Sequence, residues 1–433
     1  MKLKLAAILP HPPVVVPEIG RDRVSEIKET YNSFITVSKM VKKTKPDTIV
    51  VISSHNAMYH DYINISKGSS AYGSFRRFNV DVSMEVNYDE ELVNEIIKLS
   101  EKENIPLGKI GGYSDLDHGT MVPLYFINQE YNDYKLVRIG ISGLNNETHY
   151  KVGKIINNAI NNLDKKVVVI ASGDMSHKLK IDGPYGISKE GLEYDKKVVS
   201  LLKEANFKEL INFDEDFLRK AAECGHKCFI MLGGVLDAYS YTSKFLSYEG
   251  TFGVGYGAFV YEIFNEYVEL AKDTIEEYVT NNKVIDVPGY VSDYLLDNRA
   301  GVFVTIYKNG ALRGCIGTIN PTKENIAKEI ISNAISSCSR DPRFSPVKEY
   351  ELKDLVISVD VLGESEEIDD FSKLDVKKYG VIVSDGFRRG LLLPNLEGVD
   401  TVEYQVEIAL RKAGISKYDE YTLERFEVVR HEM

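Results

Sequence analysis

Three of the eight histidines in this 433-residue chain follow closely on short apolar runs. His11 comes just after LKLAAIL (Leu3–Leu9), in Pro10-His11-Pro12-Pro13, and His55 just after TIVVIS (Thr48–Ser53), in Ser53-Ser54-His55-Asn56. His177 comes after KVVVIAS (Lys166–Ser172), in Ser172-Gly173-Asp174-Met175-Ser176-His177. If those runs are parallel strands, the three imidazoles share one edge, over the carboxyl ends where open α/β sheets bind ligands. One loop histidine alone is as readily a hydrogen-bonded turn residue; three at one edge predict a shared site. Imidazoles converging from separate loops make a metal site whose missing partner is an anion. Two neutral histidines and one carboxylate leave positions open, which suits ferrous iron holding substrate and dioxygen together. The carboxylate candidates are Glu223 in Ala222-Glu223-Cys224-Gly225-His226, Glu249 in Tyr248-Glu249-Gly250, and Asp174. Glu223 precedes an apolar helical run, Phe229–Ala238, that would anchor it.

The elements needed to position these residues are legible as alternation. Leu3–Leu9, Thr48–Ser53, Lys135–Ile141 and Lys166–Ser172 read as strands buried on both faces. Between them Arg23–Lys45, Glu90–Lys102, Glu147–Asn162 and Ser188–Lys203 carry helical spacing. This predicts an α/β domain around a largely parallel central sheet flanked by helices. An aromatic strand in GTFGVGYGAFVYEIF leads into a polar helix, roughly Asn265–Thr280, after which the pattern changes. Val302–Ile319 reads as a hairpin turning at Asn309-Gly310. A helix, Lys323–Ser337, then strands in Leu355–Leu362 and Gly380–Leu393, a helix Val402–Ala413 and a strand near Leu423–Val429 predict a second, α+β domain. The expected domains are 1–265 and 266–433.

Composition excludes whole classes of function. Hydrophobic residues at 43% and charged residues at 27% are ordinary for globular chains, so wholesale disorder is excluded. A net charge of −12 repels phosphate backbones, so no nucleic-acid partner is expected. No apolar run approaches the ~18 residues of a membrane span, so no membrane partner is expected either. The start, MKLKLAAILPHPP, reads as a first strand rather than a signal peptide, and four cysteines read as reduced thiols of a cytoplasmic protein. Cys224 and Cys228 read as buried core thiols before a metal or redox pair. Gly253-Val254-Gly255-Tyr256-Gly257-Ala258 fits a dinucleotide pattern, but runs into alternating aromatics instead of a helix. In the second domain, Cys315 in Leu312-Arg313-Gly314-Cys315-Ile316-Gly317, with arginines near, reads as close backbone packing before an activated thiol or anion site.

Five segments, in this order, resemble one family: HPP after the first strand, SSHN after the second, LDHGTMVPL (Leu116–Leu124), SGDMSH, and AECGHKCFIMLGG. Over roughly residues 3–262 the chain resembles the LigB-type class III extradiol ring-cleavage dioxygenases and their Memo relatives. The resemblance implies a non-haem Fe(II) oxidoreductase, other divalent metals or copper being possible, acting on a small aromatic catechol-type substrate and dioxygen. It implies His11, His55 and Glu223 as metal ligands, His177 as the acid/base and His118 as a second catalytic histidine. Tyr59, His60 and Tyr62 would line the pocket. In the Memo branch a cysteine replaces the carboxylate, and Cys224 stands beside Glu223. LRGCIG, GVIVSDGFRRGLLLP and ALRKAGI resemble the AMMECR domain over about residues 268–433, without the tryptophan often found near its end. Related genes pair Memo-like, AMMECR and radical-SAM proteins, which implies a radical-SAM pathway partner and an alternative role as a metal-binding scaffold. A homo-oligomer is expected.

Overall fold

The computed structural model describes residues 2–110, 115–396 and 398–432. It divides into two units, Met1–Phe264 and Asn265–Met433. Among the described residues, no helix is long and apolar enough to cross a membrane.

In the first unit the sheet strands are β1 (Leu3–Leu9), β2 (Thr48–Ser53), β3 (Lys135–Gly140), β4 (Val167–Ser172), β5 (Ser240–Glu249) and β6 (Tyr256–Phe264). Their spatial order is β3-β2-β4-β1-β6-β5. The first four are parallel, as their largely apolar runs, buried on both faces, lead one to expect, whereas β6 and β5 add on antiparallel. The antiparallel edge admits a half-exposed strand, which is why β5, with its polar Ser240–Lys244, gave no buried-strand signal. The helices are α1 (Lys28–Thr44), α2 (Glu90–Lys102), α3 (His118–Glu130), α4 (Asn146–Asn162), α5 (Lys189–Lys203) and α6 (His226–Leu236). One face of the sheet packs into a core with α2, α4, α5 and α6, and the other with α1 and α3. Several starts are written in the sequence: Asp89, Asp117, Asn145 and Ser188 each accept a backbone N–H of the first turn.

The stretch Arg23–Lys45, expected as one helix, is instead a 3-10 segment, Arg21–Ile27, followed by α1. The break falls where the Glu249 carboxylate accepts from both the N–H and the hydroxyl of Thr30, at 2.7 and 2.6 Å. A carboxylate from β5 thus satisfies the first turn of α1.

The second unit holds β7 (Val302–Lys308), β8 (Ala311–Gly317), β9 (Leu355–Leu362), β10 (Tyr379–Ser384), β11 (Arg389–Leu392) and β12 (Thr422–His431), with α7 (Glu266–Asn281), α8 (Ile326–Ser339) and α9 (Val402–Ala413). The strands form an antiparallel half-barrel in the order β8-β7-β9-β12-β10-β11. The β7–β8 hairpin turns at Asn309 and Gly310, whose φ values of 51° and 77° are those of a type I′ turn. Helices α7 and α8 cover β7 and β9, while α9 covers β10 and β11. Helix α8 begins three residues later than expected. Glu329 reaches back to accept from the N–H groups of Thr322 and Lys323, holding them in a loop.

Candidate metal centre

Strand register places the site. Leu9 and Ser53 both pair with Ser172, and Ser53 pairs with Gly140, so the parallel strands end level. His11, His55 and Asp174 each lie two residues beyond that line and converge. Nε2 of His11 is 3.0 Å from Nε2 of His55, 3.5 Å from Sγ of Cys224 and 4.0 Å from Oδ2 of Asp174. Among the described residues two groups have donor atoms within 4.8 Å of one another: His11, His55 and His118, and His11, Asp174 and Cys224.

His11 is held in one tautomer by a chain of bonds that starts at a proline. Pro123, inside α3, has no N–H to give to the carbonyl four residues back, that of Gly119. The Ser172 hydroxyl donates to that carbonyl instead, at 2.5 Å, and its oxygen lies 3.0 Å from Nδ1 of His11. With its proton committed to Gly119, Ser172 accepts from Nδ1–H, which leaves a lone pair on Nε2 aimed at His55 and Cys224. His118 opens α3 beside the Asp117 cap, and Asp117 also accepts from the Ser53 hydroxyl at 2.6 Å. Nδ1 of His118 is buried without a hydrogen-bond partner among the described residues.

Cys224 reaches the sheet edge through a close backbone approach. A Cβ on Gly173 would lie 2.2 Å from Cα of Gly225, so the two chains touch only because both residues are glycine. Gly225 N–H then donates to the Asp174 carbonyl at 2.9 Å, and Asp174 N–H points at the Cys224 sulfur at 3.3 Å. Asp174 itself accepts from the backbone N–H of His11 at 2.8 Å.

The expected residues fall in different places. His11, His55 and His118 come together. Nε2 of His177 stands 3.9 Å from Oδ2 of Asp174, the same oxygen that lies 4.0 Å from Nε2 of His11. Glu223 is turned away: its carboxylate accepts from the His226 N–H at 2.6 Å, at the start of α6, and belongs to neither donor group. Glu249 caps α1. His60 is exposed, and the Tyr59 hydroxyl meets the Ile110 carbonyl at 3.5 Å. The Gly253 motif runs into β6 rather than a helix, and a Cβ on Gly255 would strike the Asp195 carboxylate. Ser172, Ser53 and Asp117 were missed as site residues. The signal for Ser172 was a proline inside LDHGTMVPL, which frees a carbonyl.

Charge in the site follows from burial. Loss of solvent, and then its charged neighbours, set the histidines: His55 is pushed down to about 4 and His118 to about 3, and His11 is lowered too. Neutral imidazoles are what a metal requires. Burial also works against a charged His177, but the adjacent Asp174 outweighs it and the pKa is raised. Burial raises Glu223 to about 7. The donor set suits a divalent transition metal, which His11 and His55 would hold with Cys224, Asp174 and His118 around it.

Residues 5–259 match the family model described as the catalytic LigB subunit of aromatic ring-opening dioxygenase, and residues 268–431 match AMMECR1. Protein CA_C1420 of Clostridium acetobutylicum is 42% identical over 466 aligned positions, covering 100% of this chain and 99% of its own. A Thermotoga maritima protein is 53% identical over 167 positions, 37% of this chain and 96% of its own. Among solved structures, uncharacterized protein JW3007 from Escherichia coli K12 covers 59% of this chain and 99% of its own at 14% identity, with a TM-score of 0.39. With its LigB match spanning more than half of the residues, the chain belongs to the family of LigB catalytic subunits of aromatic ring-opening dioxygenases, continued in the same polypeptide by an AMMECR1 domain.

Proposed function

We propose that the N-terminal domain is a non-haem-iron oxidoreductase of the extradiol type, which consumes dioxygen to open a catechol-type ring, with the AMMECR1 domain in an accessory role. The observation that carries this reading is the 3.0 Å approach of two neutral imidazole nitrogens at the carboxyl edge of the parallel sheet. His11 and His55 would hold the ion, with Cys224 or Asp174 as the anionic donor. Ferrous iron bound there supplies a Lewis-acidic centre that brings a dihydroxy-aromatic substrate and dioxygen together.

The protein's own groups do the rest. Ser172 keeps the His11 proton on Nδ1, so that Nε2 stays a donor. His177, with Nε2 against Asp174 and its ring 5.2 Å from that of Tyr185, takes a phenolic proton and returns it, which the neighbouring carboxylate favours. His118 offers a hydrogen bond to a substrate oxygen. The four free thiols suit a reducing cytoplasm.

One observation favours a second reading. The Cys224 sulfur, not the Glu223 carboxylate, faces His11, as in a Memo-like metal-binding scaffold serving a radical-SAM partner. Iron content and dioxygen uptake with a panel of catechols decide between them. Uptake with a ring-opened product supports the oxidoreductase; bound metal without uptake overturns it in favour of the scaffold.

A further inference from the structure

A hairpin beside the metal centre carries an arginine without a carboxylate partner among the described residues. Its strands, Ser70–Ser74 and Ser83–Asn87, pair antiparallel. The first runs into a 3-10 turn, Phe75–Phe78, capped by Ser74, whose hydroxyl accepts from the Arg76 N–H at 3.2 Å. Phe75 is fully buried and roots the turn in the core. The hairpin lies hard against the start of α3. A Cβ on Gly73 would come within 2.7 Å of the Leu116 and Met121 side chains, and the Tyr72 carbonyl accepts from the Leu116 N–H at 2.8 Å. These contacts fix the turn relative to His118, the first residue of α3.

Two adjacent arginines in that turn are differently placed. Arg76 pairs with Asp81 at 3.0 Å. The Arg77 guanidinium lies instead over the Phe78 ring, 4.7 Å from its centroid, and that ring is 6.2 Å from the ring of His118. Between the hairpin and α3 is a cavity of about 240 Å³, whose lining joins Tyr72, Phe75 and Arg77 to Asp115, Leu116 and His118. Asp115, the carboxylate in that lining, lies beyond ion-pair distance of Arg77. The His118 ring stands 4.0 Å from that of His55 and 5.3 Å from that of His11, so one wall of the cavity belongs to the metal centre. Burial first, and then neighbouring charges that include Arg77, hold His118 and His55 below their ordinary pKa.

We infer that Arg77 selects substrates whose dihydroxy-aromatic ring carries a short side chain ending in a carboxylate, an inference that rests on the ring-opening function proposed above. The ring sits at the ion against His118, and the side chain runs through the cavity to Arg77. A cavity of about 150 Å³ already admits a benzene ring. The space here is therefore more than a carboxylate attached directly to the ring would fill, and its Tyr72, Phe75 and Leu116 surfaces suit methylene groups. The planar guanidinium meets a carboxylate with two parallel N–H···O bonds, and the Phe78 ring limits how it turns. An amide of the same shape brings no charge and sets its own N–H donors against those of the guanidinium.

The probes are dihydrocaffeate, whose ring carries a propanoate chain, and protocatechuate, whose carboxylate is on the ring itself, each beside its amide. Binding to the intact, Fe(II)-loaded chain is measured by calorimetry without oxygen, so no turnover is needed. Dihydrocaffeate is expected to bind about tenfold or more tightly than its amide, the scale of a charge-assisted pair. Arg77→Gln should abolish that preference, and protocatechuate should show little preference over its amide in either protein. Equal binding of dihydrocaffeate and its amide overturns the inference, as does a preference that survives Arg77→Gln or one that protocatechuate shares in full. Arg77 is exposed, and the comparison of acid with amide in wild type needs no variant. If catechol itself does not bind the iron-loaded chain, the ring-opening reading fails and takes this inference with it. If catechol binds and is opened while acid and amide bind alike, the role of Arg77 alone fails.

Discussion

Nε2 of His11 faces Nε2 of His55 at 3.0 Å, while Nδ1 of His11 is committed to Ser172. Two lone pairs that close repel unless a proton or a cation lies between them. Burial, and then the charge of His11, push the His55 pKa down to about 4, so near pH 7 its ring is neutral: as one tautomer it donates Nε2–H to His11, and as the other it leaves both lone pairs for a cation. A metal ion bound there needs only that change of tautomer, and its binding is then coupled to stability.

The first prediction follows from that coupling. A ligand that binds only the folded state stabilises it by roughly 2.7 kcal/mol at 100 times its Kd. Adding Fe(II) anaerobically should raise the melting temperature of wild type, and a chelator should reverse the rise. His11→Ala and His55→Ala should show no rise at the same metal concentration. An undiminished rise in either variant would remove that histidine from the ligand set.

Ser172→Ala tests the relay from Pro123. The substitution leaves every donor in place but frees the His11 ring to turn or to change tautomer. Loss of such an orienting partner typically lowers metal affinity by about 10–100-fold. Metal titration should show that drop, and the melting temperature of the metal-free protein should fall as well, because the buried Gly119 carbonyl loses its donor at a cost of about 1–3 kcal/mol. An unaltered affinity would mean that packing alone orients His11.

His177→Ala separates proton transfer from metal binding. His177 reaches Asp174 at 3.9 Å but lies outside both donor groups, so metal occupancy should stay near that of wild type. Turnover should fall by about 10²–10⁴-fold, the usual contribution of a positioned acid/base. An empty metal site in this variant would make His177 a ligand and leave the mechanism without its base.

Much of this site was legible because parallel strands announce themselves. Four short, largely apolar runs marked β1 to β4, and with them the common edge on which His11 and His55 stand. Spacing alone could not show which acid or thiol turns inward. Glu223 and Cys224 are adjacent, and their directions depend on the Gly173–Gly225 contact, made by residues far apart in sequence. Glu249 likewise looked like a ligand until α1 supplied the Thr30 N–H and hydroxyl it accepts from. In the second domain Asn309-Gly310 fixed the hairpin, but the bonds that Asp341 and Arg343 make to the Cys315 peptide are tertiary features with no periodic trace.

His149 predicts an acid-sensitive fold. It is fully buried; Nδ1 donates to the Asn145 carbonyl at 2.9 Å and Nε2 accepts the Ser142 N–H at 3.1 Å, so it is neutral by construction. Burial is the main cause of a pKa lowered to about 4, with the Lys227 charge adding to it. Below its ordinary value near 6.5 the unfolded chain binds a proton that the folded chain refuses. The stabilisation is thus full above pH 6.5 and is lost as pH falls toward 4, by about 3 kcal/mol for this group alone. His149→Gln, which can still accept from Ser142, should flatten the decline of melting temperature between pH 6.5 and 4.5. An identical decline in both proteins would assign the acid sensitivity elsewhere.

The adjacent pair Glu223 and Cys224 gives the sharpest test of the metal centre. The Cys224 sulfur lies 3.5 Å from Nε2 of His11, whereas Glu223 is occupied by the His226 N–H at the start of α6. Cys224→Ser replaces a soft donor by a poor one at unchanged size, so affinity for the ion should fall sharply. Glu223→Gln keeps an oxygen that accepts from His226, so metal should remain bound while stability changes by no more than about 1 kcal/mol, the usual scale of a helix-start contact. Metal titrations and melting curves on both variants read the two effects separately. Retention of metal by Cys224→Ser together with its loss from Glu223→Gln would place the carboxylate on the ion after all. It would also require the loop at Gly225 to turn over on metal binding, a change visible as altered alkylation of Cys224 between the metal-free and metal-loaded protein.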